Sequence, residues 1–282
     1  MSNENKANLD LSFINGKELR TIVNRQLNCQ VKYMPSINKI VLDTDNVFPE
    51  IADIQKCFAE TEKRILEAFE KGSTLNPRIE RSDQILQQYI GSKQKLVVLY
   101  IDLVDSTLLM RNSSVDKLAT IIQMFTREMS IAISTFNGQV LKYVGDAVIA
   151  FFPMDMEKSY FSCTAAINCA FYMIDILEEV INPILMQNKY EPLQVRVGVD
   201  TSEHSIIQYM LGEKSYTDIL GYGISMAAKL TKLVGPNQIA TSHAIYINMN
   251  PLLKKRFSEL EISPRIWKYI DGKTQTGIWK SP

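Results

Sequence analysis

Two aspartates stand where chemistry could be built. Asp102 ends the most apolar run of the chain, Leu96 to Ile101, a place where a carboxylate is costly unless it finds a partner or reaches solvent. Asp146 follows Gly145 at a tight turn between two further runs, Gln139 to Val144 and Ala147 to Phe152. Taken singly, each has an ordinary structural role, as a turn-capping Asp or a hairpin tip. Their combination changes the reading, because a hairpin that follows a strand and a helix can lie beside the end of that first strand. The two carboxylates can then converge. Their oxygens suit the hard cations magnesium and manganese, and two such ions about 3.5–4 Å apart clamp an in-line phosphoryl displacement.

The elements that must position these residues are readable from periodicity. Leu96 to Ile101 has the length and continuous apolarity of a buried central strand. Ser113 or Ser114 can cap a long helix through Phe136, with Leu118, Ile121, Ile122, Phe125 and Met129 on one face and Gly138 just past its end. The Gly145-Asp146 hairpin follows, then a second long helix from Ser159 to near Pro183, then a strand from Leu193 to Val199. Strand, helix, hairpin, helix and strand point to the βαββαβ core of a ferredoxin-like α+β sandwich. A last strand is still expected, and Tyr216 to Leu220 is the segment available to complete or extend the sheet. Gly221 leads into an Ala-containing helix through Leu233.

Upstream the pattern is sparser. Lys39 to Leu42 reads as a strand, Pro49 to Glu70 as an amphipathic helix stopped at Gly72, and Ile85 to Ile90 as part of a short helix. Lys71 to Arg78 has the composition of a linker. The expected division is therefore a mainly helical extension over 1–92 and a catalytic domain over 93–282.

Composition excludes several classes. Apolar residues make up 46% and charged residues 22%, ordinary for a folded soluble chain. Lys plus Arg total 31, balanced by 31 Asp plus Glu, so no whole-chain charge argues for nucleic acid or an anionic membrane. Cys29, Cys57, Cys163 and Cys169 form no CxxC pair, which reads as buried thiols in a reducing compartment. The polar N-terminus lacks a signal-like apolar core, and the longest uncharged runs, Ser159 to Ile174 and Leu233 to Leu253, are interrupted by polar residues or Gly235-Pro236. No membrane span and a cytoplasmic location are expected.

Four blocks then carry a family resemblance. Ile101-Asp102-Leu103-Val104-Asp105-Ser106-Thr107 resembles the strand-end signature of class III adenylate and guanylate cyclases, and Lys142-Tyr143-Val144-Gly145-Asp146-Ala147 resembles their hairpin. Val195-Arg196-Val197-Gly198-Val199 is similar to their next strand, and Tyr216 to Leu230 to their substrate segment and catalytic helix. The blocks stand in the family's order with matching spacing, over about Leu96 to Trp279. The resemblance implies a nucleotide cyclase that makes 3′,5′-cyclic AMP and pyrophosphate from ATP at the interface of a head-to-tail homodimer, with two Mg2+ or Mn2+ ions as cofactors.

Residue by residue, the resemblance implies that Asp102 and Asp146 bind both metals, assisted by the backbone carbonyl of Leu103. Backbone N–H groups of the turn around Ser106 and Thr107 would hold phosphates, as would Arg196. Asp105 stands where many relatives have Gly. Lys142 and Asp218 match the base-selecting pair of adenine-specific members, an ammonium for ring N1 and a carboxylate for the exocyclic amine. Strand alternation would put Lys142 on the same face as Val140 and Val144. Lys268 or Lys273 would supply a further phosphate lysine. The departures lie on the last helix, where Ser225 and Lys229 replace the Asn and Arg of active relatives, four residues apart and so still on one face. Their weaker grip leaves open a degenerate cyclase fold kept as a nucleotide-binding regulatory module, and the base-selecting pair leaves open a cyclase for GTP or a pyrimidine nucleotide. His204 and His243 sit in no ligand spacing and read as structural or solvent-facing.

Overall fold

The computed structural model describes residues 31–34, 39–42, 54–71, 79–106, 114–154, 159–263, 267, 269 and 277–282. Thr107, the 72–78 linker, Lys268 and Lys273 lie outside them. Strands β1 (Val31–Met34) and β2 (Lys39–Leu42) pair as a small antiparallel sheet. Helix α1 (Ile54–Lys71) follows close to the expected segment, whereas α2 spans Ile79–Gln87 and leaves Tyr89 and Ile90, expected in that helix, in the turn after it.

The main sheet is built around β3 (Lys93–Leu103). Its neighbours are β5 (Ala147–Pro153), the second arm of a hairpin with β4 (Gln139–Val144), and β6 (Val195–Leu211), both antiparallel to it. With α3 (Val115–Thr135) before the hairpin and α4 (Ser159–Ile176) after it, these strands give the order β4-β5-β3-β6 of a ferredoxin-like core. The six elements already close that core, so the expectation of a missing strand is corrected. Instead β7 (Lys214–Gly221) folds back along the distal half of β6, and β8 (Gln238–Ser242) adds a parallel strand to the near half, both on the edge of β6 opposite β3. Beyond it lie β10 (Ile278–Lys280) and β9 (Ser258–Leu260), reached through the short helices α7 (His243–Asn248) and α8 (Pro251–Lys254).

Both faces of β3 are covered, which is why its sequence is continuously apolar. Val97, Leu99, Ile101 and Leu103 point into the larger core with α3 and α4. Leu96, Val98 and Tyr100 point the other way, to a smaller cluster with Leu141, Ile149, Phe151, Ile206 and Ala227. Asp102 continues this second series, so alternation aims it at the same face.

Several boundaries have physical causes that the sequence hides. Ser114 occupies the N-cap of α3 but makes no side-chain capping bond. The left-handed residue after α3 is Asn137, with φ of 61°, and not Gly138. Gly138 is needed for space, since a Cβ there would lie 2.7 Å from the Phe152 ring. The second long helix runs through a π turn, Leu177–Ile181, into α5 (Asn182–Gln187), whose first turn contains Pro183. A proline has no N–H for the i→i−4 ladder, and the π turn takes up the mismatch. The stretch Ser159–Gln187 is long and apolar enough to cross a membrane, yet 78% of its most apolar window is buried inside the fold. That burial accounts for its composition.

Helix α1 enters the larger core too. Ile65 is fully buried there, Phe58 stacks near Tyr172 and Phe69 on Tyr190. Arg64 donates to both carboxylate oxygens of Glu128 on α3, at 2.6 Å for the shortest contact, and Arg127 donates from the other side at 3.1 Å. The Glu128 side chain has 0% exposure, a cost that two guanidinium partners offset.

A close approach of backbone to backbone positions helix α6 (Tyr222–Leu230), which continues into a 3-10 turn, Thr231–Leu233. A Cβ on Gly198 of β6 would lie 2.0 Å from the Ala227 carbonyl oxygen, so only glycine lets the helix lie this close to the sheet. We predict that Gly198→Ala pushes α6 outward and costs about 1–3 kcal/mol, the scale of overpacking in a filled interior. Urea unfolding would read this as a lower midpoint; an unchanged midpoint would show that the helix can retreat freely.

Candidate active site

Asp102 lies at the end of β3, directly opposite Arg196 of β6 in the antiparallel register. Paired residues share a face, so the guanidinium is held beside the carboxylate. Lys232, from the turn after α6, donates to Asp102 Oδ2 at 3.3 Å. Burial and the nearby Asp146 carboxylate push the Asp102 carboxyl above its ordinary range, against the pull of Lys232 and Arg196. Tyr100, two residues back on the same face, has its phenol raised by burial and by both carboxylates. The fold therefore brings Asp102 and Asp146 into electrostatic reach, as the spacing implied.

Gly145, with φ of 63°, makes the turn that carries Asp146 there. Asp146 Oδ2 is buried without a hydrogen-bond partner, and so is Nε of Arg196. Each is a buried polar atom of a kind ordinarily paired, the carboxylate oxygen suited to a cation and the guanidinium N–H to an anionic oxygen. No group of three or more His, Cys, Asp or Glu that could hold a metal gathers among the described residues. The Leu103 side chain is buried in the larger core, leaving its backbone carbonyl as the one group it can offer. Asp105 has φ of 52°, the left-handed conformation that glycine adopts freely and Asp tolerates. This explains how Asp can stand in the place of Gly in the turn. Ser106 is half-buried just beyond it.

Lys142 and Asp218 are brought together as well, with Nζ donating to Oδ2 at 2.5 Å. The other oxygen of Asp218 accepts from the N–H of Ile219 at 2.9 Å. Their side chains are 39% and 25% exposed, so the pair is preorganised yet open to a ligand. The face of Lys142 needs correcting. A bulge between Val140 and Lys142 breaks the alternation, and Lys142 pairs with Ile149 of the smaller cluster whereas Val140 pairs with Ala150 of the larger. Lys142 thus shares the sheet face of Asp102 and not that of Val140. Among the described residues no hydrogen bond or ion pair joins Lys142 and Asp218 to the Asp102 group.

On α6, Ser225 is exposed and Lys229 lies over the Tyr269 ring, 5.0 Å from its centroid. Three interactions hold this helix. Gly198 admits it, Ser202 Oγ accepts from the Gly223 N–H at 2.8 Å, and the buried His204 ring packs against Gly221 and Gly223. His204 is structural, its charge disfavoured by burial. Lys232 and Tyr100 were missed from sequence. Spacing holds both signals, since Lys232 follows Lys229 by three and Tyr100 precedes Asp102 by two.

Acidic and basic side chains thus gather on one face of a ferredoxin-like sheet. Residues 88–277, well over half of the chain, match the adenylate and guanylate cyclase catalytic domain family, and the chain belongs to it: this is a nucleotide cyclase catalytic domain. It is 27% identical over 233 residues to a uridylate cyclase of Burkholderia cepacia, spanning 81% of this chain and 96% of the relative. It is 28% identical over 140 residues to a cytidylate cyclase of Escherichia coli, but that match spans only 48% of this chain and 28% of the relative. The fold is similar to the adenylyl cyclase CyaB of P. aeruginosa, with a TM-score of 0.57, 20% identity and coverage of 68% of this chain and 95% of that one.

Asp200 on β6 is a further buried carboxyl, raised from 3.8 to about 6 by burial, against the Ser242 hydroxyl and the Thr201 N–H. The folded state keeps this proton where the unfolded chain has lost it. Its contribution to stability is full below about pH 4 and is lost as pH rises through about 6. We predict that Asp200→Asn flattens the fall in stability between those limits, as read by chemical unfolding at a series of pH values. An unaltered pH profile would show that Asp200 ionises normally.

Proposed function

We propose that this chain cyclises a pyrimidine nucleoside triphosphate, CTP foremost, to the 3′,5′-cyclic monophosphate and pyrophosphate, at two composite sites of a head-to-tail homodimer. The observation that carries the cyclase reading is the electrostatic coupling of the Asp102 and Asp146 carboxylates at the strand end opposite Arg196, with one Asp146 oxygen buried and unpaired. Asp102, Asp146 and the Leu103 carbonyl would hold two Mg2+ or Mn2+ ions, which supply acidification of the ribose 3′-hydroxyl and charge neutralisation at the phosphates. Arg196 and the backbone N–H groups at Ser106 hold phosphate oxygens, keeping the α-phosphate in line with the attacking hydroxyl. Lys229 offsets the negative charge that builds on the phosphate, and Ser225 orients the ribose. Their weaker grip relative to Arg and Asn lowers the rate by roughly ten- to a thousandfold, the scale of losing one preorganised donor.

Base choice follows from Lys142 and Asp218. One ammonium donor and one carboxylate acceptor, fixed side by side, match a base with a ring-nitrogen acceptor next to an exocyclic amine, which cytosine and adenine both present. Uracil and guanine present a carbonyl and an N–H in those places. The relatives named cytidylate and uridylate cyclase favour a pyrimidine, and cytosine is the base on which both considerations agree. ATP is the second reading, favoured by the same pair. The exposed apolar side chains Tyr209, Met210, Tyr216, Leu220 and Tyr222 along β6, β7 and the start of α6 offer a surface for the second copy.

Incubation with each of the four ribonucleoside triphosphates and manganese, followed by mass identification of the product, tests the assignment. Cyclic CMP is expected; cyclic AMP would select the second reading, and cyclic GMP or UMP alone would overturn the pairing argument. Nucleotide binding without pyrophosphate release would instead identify a regulatory module. Shared sites have their own test. Asp102→Ala and Lys229→Ala chains, each inactive, are expected to recover about a quarter of wild-type turnover when mixed, because about half of the dimers then hold one intact site. No recovery would mean that each chain carries a complete site.

A further inference from the structure

We propose that Lys232 is a tethered counter-cation for Asp102, which a divalent metal has to displace, so that this lysine sets the metal affinity of the carboxylate pair. The inference rests on the reading of Asp102 and Asp146 as a metal site and adds a residue to which no role has been given.

The contact is specific. Lys232 Nζ lies 3.3 Å from Asp102 Oδ2 and is the one cationic group bonded to that carboxylate among the described residues. An ammonium carries only donors, so it can neutralise a carboxylate oxygen but cannot share it with a metal ion that needs the same lone pairs. One of the two cations must leave. Lys232 is built for that, because its backbone is fixed while its head is free. The preceding Thr231 is buried and donates its hydroxyl to the Ala228 carbonyl at 2.8 Å, which closes the turn after α6. The lysine side chain itself is 68% exposed, against 21% for Asp102, and its four-carbon stem can swing into solvent.

Charge balance gives the interaction its purpose. Two carboxylates face each other at this end of the sheet, and the Asp146 oxygen that lacks a partner shows that Lys232 serves only one of them. Without Lys232, Asp102 would face Asp146 with Arg196 alone for compensation. With it, one of the two negative charges is answered, and a divalent metal that displaces it would exchange one positive charge for two.

Mn2+ binding to the full chain without nucleotide, followed by the loss of the free-ion electron paramagnetic resonance signal, tests this directly. Lys232→Gln is expected to tighten Mn2+ binding about two- to fivefold, the worth of an exposed ion pair that no longer has to break. Lys255→Gln, which removes an exposed charge elsewhere, should leave binding unchanged, and Asp146→Asn should weaken it strongly. Unchanged or weaker binding by Lys232→Gln, with Asp146→Asn still defective, would overturn the counter-cation while the metal reading stands. Equal tightening by Lys255→Gln would overturn it too, by tracing the effect to net charge. Mn2+ binding that is indifferent to Asp146→Asn would remove the metal site itself, and this inference with it.

Discussion

Folding of this chain brings two negative charges together at the end of its most apolar strand, and the rest of the architecture makes that arrangement tolerable. Burial and Asp146 both oppose ionisation of Asp102, and Arg196 and Lys232 only partly answer them. A surface loop could not sustain such a conflict, because it would relax by moving apart. Here β3 is locked between β5 and β6, and apolar residues fill both of its faces. The core energy of the sheet, and not any local preference, holds the carboxylates in place.

The supporting elements divide the work between the two sides of the sheet. One side is a closed interior in which α1, α3 and α4 bury their apolar faces. The other carries a smaller apolar cluster, α6 and the polar groups of the candidate site. Helix α6 touches several of these at once. It is seated by Gly198, anchored at its start by Ser202 and His204, and it sends Lys229 and Lys232 from successive turns toward different surroundings. A single helix placement thus governs both the contact at Asp102 and the position of Lys229 over Tyr269.

Much of this was legible in the sequence because it depends on local pattern. The run Leu96 to Ile101 can only be a two-sided strand, Gly145-Asp146 a hairpin tip, and the long helices announce themselves by their apolar faces. What escaped depends on events that no local pattern records. The bulge at Leu141 inserts one residue and turns Lys142 to the other face, although the strand itself was correctly placed. Strand β8 is only five residues, Gln238–Ser242, with little alternation to mark it, and its partner β6 lies some forty residues upstream. Lys232 and Asp102 are 130 residues apart, so only the packing of α6 on the sheet could reveal their contact. Asp200 comes just after the apolar stretch Val195 to Val199 and opens a polar run, Thr201 to Ser205, in which nothing local marks it as buried.

The Arg64–Glu128 contact reaches beyond the cyclase region. Because that carboxylate sits in the wall between α1 and α3, withdrawal of α1 would strand it with Arg127 alone and open the trough now filled by Ile65, Phe58 and Phe69. The helix ahead of the sheet therefore behaves as a keystone and not as a handle. An upstream signal transmitted through it has to travel as a rigid shift of α1 and α3 together, because pulling them apart would dismantle the floor on which the sheet rests.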